Sequence, residues 1–306
     1  MGVTLGKVFK FGCVGCLGIL AIMLLIGVVI TGVAKNRAES EELQTSVLTR
    51  DLPAVTWTPL ADPPNTLDAS VEGRVIINLS RGEFEIIPGP SGQPIRVEAT
   101  YDENSCDLWE GYAEQDSPGW TYKIDFHCSA TPLVDFLKIV FFDGIQPKIK
   151  VTIPVDTPLA LELVLSQGGG MAELGGLWLT SADIEFSQGG FELDVGEPLH
   201  SPLERLSITG SMGGFDAQSI GNASPRVLEI DHKMGGLMLD LRGAWSQSAD
   251  IDIRSSMGGG LVMLPRGVNL VGVPGGSFGT SSTPEIERPT LSFTVRSEMG
   301  DIEFTR

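Results

Sequence analysis

A glycine-punctuated repeat constrains the fold of this chain more than any other feature. Alternating apolar residues lead to Gln, Met or Arg, then to a glycine, and the alternation then resumes. Seven copies carry that glycine, at Gly82, Gly168, Gly189, Gly213, Gly235, Gly258 and Gly300, and five copies add a second glycine, at Gly169, Gly190, Gly214, Gly236 and Gly259. A fixed period near 22 residues is typical of stacked β architectures.

The spacing of the first glycines predicts the number of coils. From 168 to 258 the intervals are 21, 24, 22 and 23 residues. The interval from 82 to 168 is 86 residues and that from 258 to 300 is 42 residues, close to four and two periods. Degenerate coils in these gaps would bring the total to roughly ten.

Each repeat fits a short strand, a sharp corner and another short strand. Strict alternation places Leu228, Ile230 and Leu237 on one face of their strands and Glu229 and Asp231 on the other. Glycine supplies the positive φ that a sharp corner requires, so both the first and the second glycines of the repeats are predicted to be corner glycines. The prediction is an all-β fold: a single-domain β-solenoid over residues 70–306, with an irregular insertion at about 100–121.

The same alternation places methionines and one histidine on the inward side. Met212, Met234, Met257 and Met299 occupy one equivalent repeat position, in phase with the inward aliphatic residues. Soft-metal binding is one interpretation of such a ladder, but filling of the core by an adaptable side chain is favoured. His232 shares the inward phase and is interpreted as a satisfied core or corner histidine.

The N-terminal segment predicts a membrane anchor. Residues 11–34 contain no charged residue, and a helix of that length spans a hydrocarbon core of about 30 Å. The run exceeds the apolar region of a cleaved signal peptide, so a retained transmembrane helix is favoured over that alternative. Residues 1–10 then form a short cytoplasmic tail and residues 35–69 a flexible linker.

The cysteines indicate an oxidising compartment. Cys106 and Cys128 are the only cysteines beyond the leader, which suggests a disulfide bond. Basic residues flank the helix almost equally, so this pair decides the orientation, with the bulk of the chain extracytoplasmic. Cys13 and Cys16 lie in the helix, where contact between helices is favoured over palmitoylation or metal binding.

The charge of the chain argues against one class of partner, and a cluster of acidic residues suggests one further candidate site. The chain carries a net charge of −18, which argues against binding to nucleic acid. An acidic segment around the cysteines would suit calcium, although its spacing matches no EF-hand loop. A solvated acidic loop is therefore favoured for these residues: Asp102, Glu103, Asp107, Glu110, Glu114 and Asp116.

One run of residues resembles a known family. Residues 148–156, Lys-Ile-Lys-Val-Thr-Ile-Pro-Val-Asp, followed by units of about 22 residues with Ser-x-Gly-Gly, resemble the putative-adhesin (toastrack-like) domains of bacterial envelope proteins. The resemblance implies a β-solenoid ectodomain attached to the cytoplasmic membrane, with a role in envelope sensing or surface interaction. It supplies no catalytic residue and no cofactor.

Two classes of function follow. The favoured hypothesis is a non-catalytic interaction, adhesion or envelope-sensing scaffold with an unidentified protein or cell-surface partner and with neither metal nor cofactor. The alternative is a β-helix enzyme that processes envelope polysaccharide. The residues that come closest to a catalytic group for such an enzyme are Asp250, Asp252 and Arg254. The strand parity places them outward, where they are expected to form surface ion pairs of little energetic weight.

The C-terminal repeat strand predicts an interaction edge. Ile302 and Phe304 lie on a repeat strand with no capping segment after it in the sequence. An uncapped solenoid end exposes a strand edge and apolar core. We expect this coil to pair with a partner, with another copy of the chain, or with a folded-back loop.

Overall fold

A computed structural model describes residues 45–51, 72–102, 105–114, 119–129, 146–275 and 288–306. The chain divides into two units, Met1–Thr45 and Ser46–Arg306, and the description below concerns the second. The predicted tail and membrane helix lie outside the described residues. Within those residues, no helix has the length and apolar character needed to cross a membrane.

The described residues form nineteen strands and one short 3-10 helix, Ile220–Asn222. The strands are β1 (Thr45–Asp51), β2 (Gly73–Leu79), β3 (Gly82–Gly89), β4 (Arg96–Asp102), β5 (Cys106–Glu114), β6 (Trp120–Cys128), β7 (Lys148–Pro154), β8 (Leu159–Glu173), β9 (Leu179–Gln188), β10 (Phe191–Asp194), β11 (Arg205–Met212), β12 (Phe215–Gln218), β13 (Val227–Met234), β14 (Leu237–Asp240), β15 (Ala249–Met257), β16 (Gly260–Met263), β17 (Asn269–Val271), β18 (Thr290–Met299) and β19 (Ile302–Thr305).

Most strands belong to two parallel sheets that run side by side along the molecule. Each coil gives one strand to the first sheet and the next strand to the second, while the long strand β8 bends and serves both. In the first sheet the order is β5, β6, β2, β8, β9, β11, β13, β15, β18 and β17. The described chain is therefore all-β, with parallel strands stacked coil upon coil as in a β-solenoid.

In-register aliphatic columns make the core. One column of the first sheet crosses eight coils with one inward residue from each: Ile124, Ile77, Leu163, Ile184, Ile208, Ile230, Ile253 and Val295. All except Val295 are at most 2% exposed. A single coil cannot bury its apolar face, so this stacking is what removes the aliphatic surface from water.

The order of the coils corrects the prediction of about ten. Gly82 pairs directly with Gly168, and Met257 pairs directly with Met299, so no coil separates either pair. The described residues hold eight coils: β6–β7, β2–β3, β8, β9–β10, β11–β12, β13–β14, β15–β16 and β18–β19. The 86-residue gap instead builds one coil and a cap on the opposite side of β2–β3.

That cap contains the segment predicted to be irregular. Within 100–121, β5 forms a regular antiparallel pair with β6, and β4 pairs antiparallel with β7. Antiparallel strands therefore cover this end of both sheets, which limits the exposed parallel edge. β1 pairs with β4 and lies inside the span 35–69 that was predicted to be a linker; most of that span is outside the described residues.

Candidate interaction surface

The first glycine of each pair makes the corner. These seven corner glycines (Gly82, Gly168, Gly189, Gly213, Gly235, Gly258 and Gly300) have φ between 120° and 134° and stack in one column. A Cβ on any of the last six would lie 1.6–1.9 Å from the carbonyl oxygen of the corner glycine in the neighbouring coil. Both the backbone angle and this close approach exclude a side chain.

The prediction that the second glycine also makes the corner is wrong, because it is under no such constraint. At Gly169, Gly190, Gly214 and Gly236 a Cβ would meet nothing within 4 Å, and φ is not positive at these residues. The same column carries Lys148 and Glu83 at one end and Asp301 at the other. The fold therefore accepts side chains in this column, and five consecutive coils omit them.

These five floor glycines (Gly169, Gly190, Gly214, Gly236 and Gly259) form the floor of a groove. The carbonyls of the last four each accept a hydrogen bond from the residue that follows the floor glycine of the preceding coil, as from Phe191 N to Gly214 O at 2.9 Å. With strands about 4.8 Å apart, four intervals give a side-chain-free strip about 19 Å long. The groove has a volume of about 780 Å³.

The walls of the groove are apolar with two carboxylates. Phe191, Phe215 and Leu237 border it, but they are at most 3% exposed and belong to the core, so the accessible apolar side chains are those of Met238 and Leu261. Glu192 and Asp216 lie in the same outward column as these last two residues. Among the described lining residues none is basic, and one oxygen of Asp216 is buried without a hydrogen-bond partner in the described structure.

The predicted inward position of the methionines is wrong. Met212, Met234, Met257 and Met299 are 37–62% exposed, so they do not fill the core. Inward parity holds as far as Gly210, His232 and Ser255. Two residues later the strand is already leaving the core for the corner, so the alternation no longer decides which side is buried.

His232 is the buried histidine that the parity predicts. It is 1% exposed, and its Nε2 donates to the carbonyl of the corner glycine Gly213 at 3.2 Å. Its Nδ1 has no hydrogen-bond partner among the described residues. Burial lowers the pKa of His232, while the bond to Gly213 and the charge of Asp231 oppose that shift.

Gly210 makes room for this histidine. The residue lies between Phe186 and His232 in one inward column of the first sheet. A Cβ on Gly210 would lie 2.3 Å from the Phe186 ring and 2.8 Å from the His232 ring. Phe186 also packs against Phe191 and Phe215, so the corner rests on an aromatic cluster beneath the groove.

The residues that the enzyme hypothesis would require lie on the surface, where two of them form an ion pair. Arg254 donates to Asp252 at 2.6 Å, with half of the arginine side chain exposed, and Asp250 is exposed on the same strand. A pair of this kind contributes little to stability. Within the described ranges no three His, Cys, Asp or Glu side chains come together in a way that could hold a metal ion.

The disulfide prediction is confirmed. Cys106 and Cys128 face each other across the β5–β6 pair, with Cα atoms 4.0 Å apart, and are bonded. In the acidic segment beside them, Tyr122 donates to Glu110 at 2.5 Å and Ser105 donates to Asp102 at 2.7 Å. Glu103 and Asp116 lie outside the described residues, and no metal-binding group is found among the residues that the structure describes.

The C-terminal strand lies at an end of the second sheet. Ile302 and Phe304 are half-buried and pack against the core, and Phe304 contacts Phe293 edge-to-face at 6.2 Å between ring centroids. Among the described strands, β19 pairs only with β16.

Sequence analysis did not predict the groove. One feature of the sequence could have indicated it: Glu83 and Asp301 stand at the repeat position where five copies have glycine.

Comparison with known proteins finds no match to any protein family or curated protein by sequence. By structure the chain is similar to a putative cell adhesion protein from Clostridium sporogenes, with 12% identity, a TM-score of 0.38, and coverage of 85% of this chain and 99% of the other. It is also similar to a putative adhesin from Bacteroides fragilis, with 11% identity, a TM-score of 0.37, and coverage of 86% and 99%. Both are of the class that the sequence resembles.

Proposed function

We propose that this chain is a non-catalytic interaction scaffold of the bacterial cell envelope. Its groove receives an extended segment of a partner protein that combines basic and apolar side chains. The observation that carries the proposal is the floor of five glycines in a column where the fold accepts Glu83 and Asp301. Close approach of a ligand to the backbone is a role that only glycine supports.

The energetic argument concerns glycine at positions where alanine would fit. Gly169 lies in β8 and the other four floor glycines lie between strands; replacing a glycine of this kind with alanine stabilises a protein by roughly 0.4–1 kcal/mol, because alanine restricts the unfolded chain. Five such residues in neighbouring coils therefore lower stability at positions where packing does not require them. A binding surface accounts for that loss, since each added Cβ would raise the floor and obstruct the occupant.

The chemistry of the walls selects the occupant. Met238 and Leu261 offer apolar contact, whereas Glu192 and Asp216 attract a cationic side chain. The carbonyls of Gly190, Gly214, Gly236 and Gly259 already accept hydrogen bonds from neighbouring coils, so the occupant does not add a strand to them. It crosses the strands instead, and a floor of about 19 Å accommodates roughly six extended residues.

The proposed location is the outer side of the cytoplasmic membrane, with residues 11–34 as the anchor. The disulfide between Cys106 and Cys128 supports an oxidising compartment. A chain with Cys13→Ser, Cys16→Ser and Arg266→Cys tests this, because Arg266 is exposed. Intact cells should react with an impermeant maleimide, and reaction only after lysis would contradict the orientation.

Docking is tested with the full-length chain and two synthetic octapeptides, one alternating Lys with Leu and one alternating Glu with Leu. We expect only the basic peptide to bind, with affinity that falls as salt rises. Gly214→Gln should weaken binding at least tenfold, because its side chain enters open space above the floor. Thr209→Gln is the matched control, since it adds a similar side chain on the outward face of β11, away from the groove.

Equal binding of both peptides, or full binding by Gly214→Gln, would overturn the proposed site. Circular dichroism and urea unfolding establish that both variants are folded. A combined substitution of Asp250, Asp252 and Arg254 by alanine should leave peptide binding unchanged. The same substitution would abolish activity if these residues served an enzyme.

A further inference from the structure

We propose that the methionine ladder, defined as Met212, Met234, Met257 and Met299, binds one Cu(I) ion per chain. This inference goes beyond the proposed docking function and does not depend on it. The ladder lies on the opposite side of the corner glycines from the groove floor, so the two surfaces are separable by substitution.

The register brings four thioethers to four consecutive levels. Met234 pairs with Met257, and Met257 pairs with Met299. The carbonyl of Met234 accepts from Gly213 N at 2.9 Å, which places Met212 on the next level in the same arrangement. Parallel strands lie about 4.8 Å apart, and the long methionine side chain is flexible enough for three neighbouring sulfur atoms to converge on one ion.

Packing does not account for these methionines. All four are 37–62% exposed, so they contribute little to the core. Gln167 and Gln188 occupy the same position in earlier coils, are exposed as well, and pair with each other at 3.2 Å. The position therefore accepts a polar side chain, and the change from amide to thioether over four successive coils requires a chemical explanation.

Thioether chemistry identifies the ligand. A neutral, polarisable sulfur is a soft ligand that suits Cu(I) and is a poor ligand for Mg²⁺ or Ca²⁺. Elsewhere in the described ranges no group of three His, Cys, Asp or Glu side chains offers a competing site. Exposed carboxylates at Glu298 and Asp301 flank Met299 and favour the approach of a cation.

The test uses the full-length chain with Cys13→Ser and Cys16→Ser, because free thiolates bind Cu(I) more strongly than thioethers. Cu(I) is held reduced by ascorbate and titrated against bathocuproine disulfonate, while 13C-labelled methionine methyl groups are followed by NMR. We expect one equivalent to bind and the ladder methyl resonances to shift, with those of Met238 and Met263 unchanged.

A triple variant, Met234→Leu with Met257→Leu and Met299→Leu, should lose Cu(I) binding at least tenfold while keeping a similar apolar surface. Met238→Leu is the matched control, because Met238 is 42% exposed but belongs to the second sheet. Retention of binding by the triple variant, or shifts confined to other methyl groups, would overturn the inference. Gly214→Gln should still bind Cu(I), and the triple variant should still bind the basic peptide, so either proposal can fail alone.

Discussion

At the scale of single residues, two adjacent glycines have different roles. Gly213 has φ of 130°, and a Cβ there would lie 1.6 Å from the carbonyl oxygen of Gly189. Gly214 does not have a positive φ, and its Cβ would point into open space. Steric exclusion therefore requires glycine at the corner position. At the floor position no steric conflict requires glycine, and its effect is to leave the surface open.

Alanine at each position separates these roles. Gly213→Ala should lower the free energy of unfolding by at least about 2 kcal/mol, from backbone strain and the clash with the neighbouring coil. Gly214→Ala should raise it by about 0.5 kcal/mol, because alanine restricts the unfolded chain. Urea unfolding followed by circular dichroism measures both, and equal losses at the two positions would contradict this assignment.

His232 should make stability depend on pH. Burial lowers the pKa of His232 in the folded chain, so the unfolded chain binds more protons once the pH falls below its ordinary value of about 6.5. The contribution of His232 is therefore complete above pH 6.5 and is lost as the pH falls toward the lower pKa of the folded state. His232→Gln, which retains a donor for the carbonyl of Gly213, should remove this part of the pH dependence.

The measurement is urea unfolding at pH 5 and pH 7.5 for both proteins. The wild type should lose more stability than the variant on acidification. An equal loss in both would mean that His232 is not the group responsible.

At the scale of elements, the strands and the first glycine of each corner could be predicted, but the residue at which each strand begins to turn could not. Alternation correctly places Leu228, Ile230 and Leu237 inside, because the side-chain period of a strand is two residues. The same rule fails at Met234, two residues beyond the buried His232, because the backbone has begun to turn. The alternation of inward and outward residues is informative only while the strand continues, and the sequence does not show at which residue the strand ends.

The β5–β6 pair at the cap is held by a disulfide that should contribute measurably to stability. Cys106 and Cys128 are 22 residues apart, and closing a loop of that length stabilises by about 3 kcal/mol in the chain-entropy treatment. Replacing both cysteines with serine should lower the urea midpoint accordingly. Dithiothreitol should lower the midpoint of the wild type and leave that of the variant unchanged; a response in both would point to another reducible bond.

At the scale of the whole molecule, the repeat spacing predicts that the coils stack as a solenoid, but it does not predict the spatial order of the coils. Gly82 neighbours Gly168 although 86 residues separate them, because the intervening chain builds the coil β6–β7 and the antiparallel cap. Counting periods assumes that coils stack in chain order. Nothing in the spacing reveals that β2–β3 lies between a later coil and β8.

Equivalent registers along the stack predict that a whole coil is removable. Deleting residues 213–234 joins Met212 to Gly235, which restores the corner pattern and sets Ile208 beside Ile253, in the place that Ile230 now occupies. The shortened chain should fold, with a lower urea midpoint and a smaller dependence on urea, because it buries less surface.

Deleting Thr209 alone should be more damaging than deleting those 22 residues. Loss of one residue inside β11 shifts the parity of the strand, so that either Leu206 and Ile208 turn outward or Gly210 and the corner leave their columns. A one-residue slip moves a full set of inward side chains to the solvent face. Unfolding of both variants by urea compares them directly, and a coil deletion less stable than the Thr209 deletion would show that the coils are not interchangeable units.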